Sequence, residues 1–231
     1  GLGDVYKRQL EIRSKKRPPA FWTRNNTGLI TTKKAPTRLG IYHWLHISVD
    51  VLWALNGVIF LVLLFVTDQW MRIVPTSWDV FPNALSSLLR YASLDWPTES
   101  AWTNYNSLQI LAYFVTVFIA APIAIKTGLR LSPVWPKEGW LHRVFPEGVA
   151  KKLHTFVLFY FFAFILVHVV LVLVTGAQAN LNAMYASMDS DTSVLGPILF
   201  VGSVVLMVAA WLLAKPAVLK PIARLSGKVQ G

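Results

Sequence analysis

Four long apolar runs divide the chain, at roughly 46–66, 108–125, 153–174 and 195–214. Each is close to the ~20 residues that a helix needs to cross a hydrocarbon core of ~30 Å. Length alone would also allow the second run to be re-entrant. A full crossing is preferred, with Pro122 imposing a kink or an early stop near its end. The pattern predicts an all-α integral membrane protein, a helical bundle with four transmembrane helices in this chain.

The polar segments between the runs set the expected topology. Residues 10–40 carry eight Lys or Arg and one acid, 126–152 six basic residues and two acids, and the tail from Lys215 four basic residues and no acid. The opposite loops are acidic: 68–106 holds Arg72 and Arg90 against Asp68, Asp79, Asp95 and Glu99, and 176–193 holds only Asp189 and Asp191. Basic segments stay cytoplasmic, which puts the N-terminal segment, the second loop and the C-terminus on that side. The expected organisation is a basic cytoplasmic segment at 10–40, a membrane domain at 41–215 with an outer loop at 68–106, and a cytoplasmic tail at 216–231. Trp70, Trp78, Trp96 and Trp102 crowd the outer loop. They read first as an interfacial aromatic belt and second as a docking surface, with a short helix around 83–91.

Composition narrows the chemistry. The net charge of +11 flanks the apolar spans, so it reads as topology and not as a nucleic-acid surface. With no Cys, the chain itself offers no disulfide, iron–sulfur cluster, thiolate zinc site or covalently attached haem. Asp4-Val5-Tyr6-Lys7-Arg8-Gln9 reads as a translated sequencing-library adaptor, so residues 1–9 are set aside as non-native.

The third run carries two histidines, His154 and His168. Only Thr, Tyr and hydrophobic residues lie between them, five of them Phe. Fourteen residues at ~100° each bring the two imidazoles within ~40° of one another on one helix face, ~21 Å apart along the axis. Polar groups inside a span are costly and functional by default, although a structural hydrogen bond is the plainer alternative. Neutral imidazole is a strong axial ligand for haem iron, so the pair predicts one or two non-covalent haem b groups. His46, near the start of the first run, is the preferred partner of His154, with His43 as its alternate. His142 reads as a solvated loop residue.

Three partners remain open for His168: a methionine such as Met184 or Met207, another subunit, or a histidine in a helix preceding residue 10. The third is preferred, with residues 10–13 read as the end of that fifth, N-terminal, truncated helix. Arg130, Lys151 and Lys152 read as positive-inside anchors before propionate partners. Asn56-Gly57 and Gly202-Ser203 read as points of close helix packing before porphyrin contacts. Asp50 is open between a quinone proton relay and a hydrogen bond to a neighbouring helix. Tyr113 and Tyr160 read as packing residues.

Three stretches resemble the bacterial, actinobacterial-type cytochrome b/b6-domain membrane proteins: Trp44-Leu45-His46-x-Ser48-x-Asp50-Val51-Leu52-Trp53, Gln69-Trp70-Met71-Arg72-Ile73-Val74-Pro75-Thr76-Ser77-Trp78-Asp79, and Leu94-Asp95-Trp96-Pro97-Thr98-Glu99. The third run with His154 and His168, followed by Gly176-Ala177 and Asn180-Leu181-Asn182-x-Met184-Tyr185, is similar as well. The likeness covers roughly residues 15–215, and the histidine spacing is also similar to that of the cytochrome b561 group. The resemblance implies a di-haem b cytochrome that is a non-catalytic electron-transfer subunit of an oxidoreductase. It further implies exchange between a quinone pool and a peripheral subunit, possible molybdopterin-dependent enzymes among them, and carries the haem-iron ligands onto His46, His154 and His168. The sequence departs from the pattern in lacking a fourth ligand and the preceding helix.

The expected setting is a bacterial inner (plasma) membrane, multi-pass, with lipid around the spans. The competing expectation is a haem-free transporter or proton-relay protein that uses the buried histidines.

Overall fold

The computed structural model describes residues 11–13, 39–95, 105–136, 139–226 and 228–230. The adaptor-like residues 1–9, most of the basic segment 10–40, and Trp96 and Trp102 lie outside the described residues. The described chain is helical apart from three short strands. Four helical stretches are long and apolar enough to cross a membrane: Ile41–Val66, Ser107–Leu131, Glu147–Val174 and Leu195–Leu213. Their side chains stay largely uncovered, with Phe156 68%, Phe159 66% and Leu206 71% exposed. In water such area would drive aggregation, whereas against lipid tails it is the ordinary surface of a spanning helix.

In chain order the elements are β1 (Glu11–Arg13), β2 (Leu39–Gly40), α1 (Ile41–Val66), α2 (Val80–Ala92), α3 (Ser107–Phe114), α4 (Ala121–Leu131), α5 (Trp140–Val144), α6 (Glu147–Val174), α7 (Ala177–Ala186), α8 (Leu195–Leu213), α9 (Pro216–Ala223) and β3 (Lys228–Gln230). A 3-10 turn, Gln69–Arg72, lies between α1 and α2. The helix expected around 83–91 is α2, longer at both ends. Asn106 starts α3 with a capping box: its side chain accepts from the Gln109 N–H (3.0 Å), and the Gln109 side chain accepts from the Asn106 N–H (2.9 Å).

Pro122 does not stop the second span. A proline removes one N–H and its ring crowds the carbonyl four residues back, here that of Phe118. The wider π-helical turn Val115–Ala120 sits at that place, and α4 continues directly from it to Leu131. The first and third spans begin earlier than their apolar runs. At α6 the added turn is polar, closed by an exposed Lys151–Glu147 pair at 2.8 Å. At α1 the added turn packs: Ile41 is buried against Leu219 and Ala223 of α9, with Trp44 and Leu45 beside them.

Close packing groups the chain into two units. The first comprises Gly1–Val58, Ala124–Thr155 and Ala210–Gly231, and so collects every span end that adjoins a basic segment. The second comprises Ile59–Ile123 and Phe156–Ala209, with the acidic loops.

In the first unit, β1 pairs antiparallel with β2 on one side and β3 on the other. Glu11–Arg13 is therefore a strand, where the sequence suggested the end of a preceding helix. Its backbone finds partners at 39–40 and 228–230, residues too distant for local pattern to reveal.

In the second unit, Asn182 fastens the turn into α8. It is fully buried, donates to the carbonyls of Ser190 (2.8 Å) and Ser193 (2.6 Å), and accepts from the Gly196 N–H (2.8 Å). A Cβ on Gly196 would collide with the backbone of Leu181 and Asn182. By contrast, a Cβ on Gly57 or Gly202 would meet nothing within 4 Å. The close packing expected at those two glycines is thus found at Gly196.

Candidate functional site

The first unit brings the rings of His46 of α1 and His154 of α6 together. Their ring centres are 6.3 Å apart, and the ring planes cross at 76°. A metal–imidazole bond of about 2.0–2.1 Å, with the ring centre about 1.1 Å behind the nitrogen, puts two rings on opposite sides of one metal about 6.2–6.4 Å apart. The observed spacing equals that separation. An edge-to-face ring contact reaches the same distance, so the spacing alone does not choose between them.

The second indication is how His154 is held. Its Nδ1 lies 2.8 Å from Thr127 Oγ1, and that hydroxyl in turn donates to the Ala124 carbonyl at 3.1 Å. Thr127 is 1% exposed. When that hydroxyl gives its proton to the carbonyl it accepts from Nδ1–H, and in that tautomer Nε2 carries the free lone pair. Fixing the tautomer through the second ring nitrogen is the usual support for a metal-ligating histidine. Gly128 lies beside the same ring, where an added Cβ would rest 3.6 Å from His154 Cε1, an ordinary contact.

His46 is more open. Its Nε2 is 3.4 Å from Asp50 Oδ2, one helical turn along α1, with both side chains about half exposed. Asp50 thus faces its own helix and not a neighbouring one. An exposed pair of this kind contributes little, so ligation through Nε2 displaces it at small cost. His43 is exposed, and the imidazole that meets His154 is that of His46.

One expectation about the basic loop is corrected. His142 lies on the short helix α5, partly buried, with Nδ1 3.2 Å from an Arg130 guanidinium nitrogen. Arg130 is itself buried at 5% exposure. Its Nε donates to the Phe145 carbonyl at 2.5 Å, and its guanidinium lies over the Trp135 ring. The charge closes the loop because a buried guanidinium must find acceptors nearby. Lys151 is paired with Glu147, and Lys152 is exposed.

The second unit holds His168. The ring stacks on Phe164 (5.7 Å, 5°) and meets Tyr113 edge-on (6.3 Å, 74°). It lines a cleft of ≈ 850 Å³ with Tyr113, Tyr160, Phe164, Asn180 and Met184. Tyr113 and Tyr160 are therefore cleft walls as well as packing residues. Tyr160 shares a 2.8 Å hydrogen bond with Thr116.

Thr127 is the residue that sequence reading missed. It falls just past the second apolar run, and its partner lies 27 residues away, so no local spacing points to it. Carrying the helix past Pro122 would have placed it at the depth of His154. Among the described residues no three His, Cys, Asp or Glu side chains gather. The sequence matches no protein-family model, and no curated protein or solved structure matches it significantly.

Proposed function

We propose that the chain is a membrane-embedded b-type cytochrome, in which His46 and His154 hold one haem and His168 contributes to a second. The adjacent imidazoles at 6.3 Å carry this reading, with the Thr127–His154 hydrogen bond as its support. A bound haem supplies reversible one-electron exchange at its iron. The chain's part is to set the ligands, their orientation and the apolar surroundings. Thr127 keeps the His154 ring in the tautomer whose Nε2 can bind metal, and the Nδ1–H···Oγ1 bond raises the basicity of that nitrogen. Two axial imidazoles leave no open position for oxygen chemistry, which favours electron transfer over catalysis at iron.

The resemblance to cytochrome b/b6-domain proteins extends the proposal. The chain would pass electrons between a quinone pool and a peripheral oxidoreductase, a molybdopterin enzyme being one such partner. The basic span ends would face the cytoplasm of a bacterial inner membrane.

One observation favours a second reading. Asp50 with His46 and Thr127 with His154 form two polar pairs that meet at the imidazole rings, an arrangement a proton relay in a haem-free transporter could use. Haem content separates the two. Purified wild type, His46→Ala and His154→Ala proteins are compared by pyridine haemochrome assay. Under the proposal each substitution removes one haem per chain while the protein remains folded. Equal haem content in all three would remove the assignment, and a haem-free wild type would favour the relay.

A further inference from the structure

The cleft around His168 is also lined by a methionine, Met184, whose thioether can ligate haem iron. We propose that His168 and Met184 are the axial pair of a second haem, held in this cleft of ≈ 850 Å³. The inference rests on the cytochrome reading and adds to it the ligand that the sequence left open.

Three observations carry it. First, the volume lies within the ~300–1,000 Å³ typical of ligand sites, and the walls include the aromatic side chains of Tyr113, Tyr160 and Phe164. Second, His168 is half-buried and touches Phe164 and Tyr113 through its ring, yet no hydrogen bond joins it to a described residue. Imidazole nitrogens among apolar groups need a partner. The Asn180 amide already donates to the Val172 carbonyl and to Thr175 Oγ1, both at 3.0 Å, and the Tyr160 hydroxyl is joined to Thr116. Third, the chain reverses between α6 and α7 at Gly176, whose φ of 127° favours glycine. That reversal returns Met184 to the cleft that His168 lines. Met207 on α8 does not line the cleft.

The ligand pair has a chemical consequence. A thioether is a softer, weaker donor than imidazole, and His/Met ligation raises the haem potential relative to His/His. The second haem is therefore the higher-potential one of the two.

The test compares the purified full-length wild type with Met184→Leu, Met184→His and, as a control, Met207→Leu. Readouts are haem per chain, the near-infrared sulfur-to-iron charge-transfer band of the ferric protein, and the redox titration. We expect two haems and the band in wild type and in Met207→Leu. Met184→Leu loses the band and falls toward one haem. Met184→His keeps two haems, loses the band and moves the higher midpoint potential downward. A wild type without the band, a band that persists in Met184→Leu, or one bis-imidazole haem per chain would each overturn the His168–Met184 pair while leaving the His46–His154 centre standing. A haem-free wild type would overturn both.

Discussion

Replacing Thr127 with Val tests how the chain holds His154. Valine keeps the shape of threonine and deletes the hydroxyl that sits 2.8 Å from His154 Nδ1. The site is buried, Thr127 being 1% exposed, so water is poorly placed to substitute. Leaving a buried N–H without its acceptor costs about 1–3 kcal/mol. Loss of an outer-shell partner of a metal-bound histidine typically lowers metal affinity 10–100-fold, or about 1.4–2.8 kcal/mol, the same range. The expected result is haem dissociation about 10–100-fold faster, measured by transfer of haem to a scavenging acceptor protein. The potential should move too. Without the Nδ1–H···Oγ1 bond the imidazole is a weaker donor, and the ferric state loses more than the ferrous. If one decade of affinity falls on the ferric state alone, the midpoint rises by about 60 mV. Thr127→Ser keeps a hydroxyl and should restore both values. A folded Thr127→Val protein with wild-type haem retention and potential would refute the role given to Thr127, and with it the tautomer argument for His154.

Other outcomes follow from the same geometry. His43→Ala should leave haem content and spectrum unchanged, because His43 is exposed and His46 is the ring that meets His154; loss of a haem in a spectroscopic assay would reassign the ligand. Asn182→Ala removes the partner of two carbonyls and one N–H, so the detergent-solubilised protein should lose several kcal/mol, at about 1 kcal/mol or more per unmet group, read as a lower thermal midpoint. Gly196→Ala should also lower the midpoint, because its Cβ meets backbone and not a flexible side chain. Gly202→Ala, with open space at the same position, should leave it unchanged.

The four spans were legible because a membrane helix is written as one long apolar run. Their ends were less so. At Glu147 and Ile41 the extra turns are held by an ion pair and by packing on α9, neither of which a hydropathy run records. Beyond Pro122 the helix persists through a π-helical turn, a rearrangement that composition does not announce. The meeting of His46 and His154 was readable from depth, since both lie near basic span ends. The supports were not: Thr127 reaches His154, and Arg130 reaches His142 and Phe145, across separations set only by the fold. Glu11–Arg13 was misread for the same reason, as its strand partners lie at 39–40 and near the C-terminus. The spacing of His154 and His168 placed them on one helix, but only the folded second unit puts Met184 in the cleft with His168.

The central claim is that this chain holds haem through His46 and His154. A dithionite-reduced-minus-oxidised absorbance spectrum of the purified protein, with pyridine haemochrome quantification, tests it most directly. The account predicts a b-type α band that diminishes by one haem per chain in His154→Ala. A folded, membrane-extracted protein with no such band after supplementation with haem would contradict it.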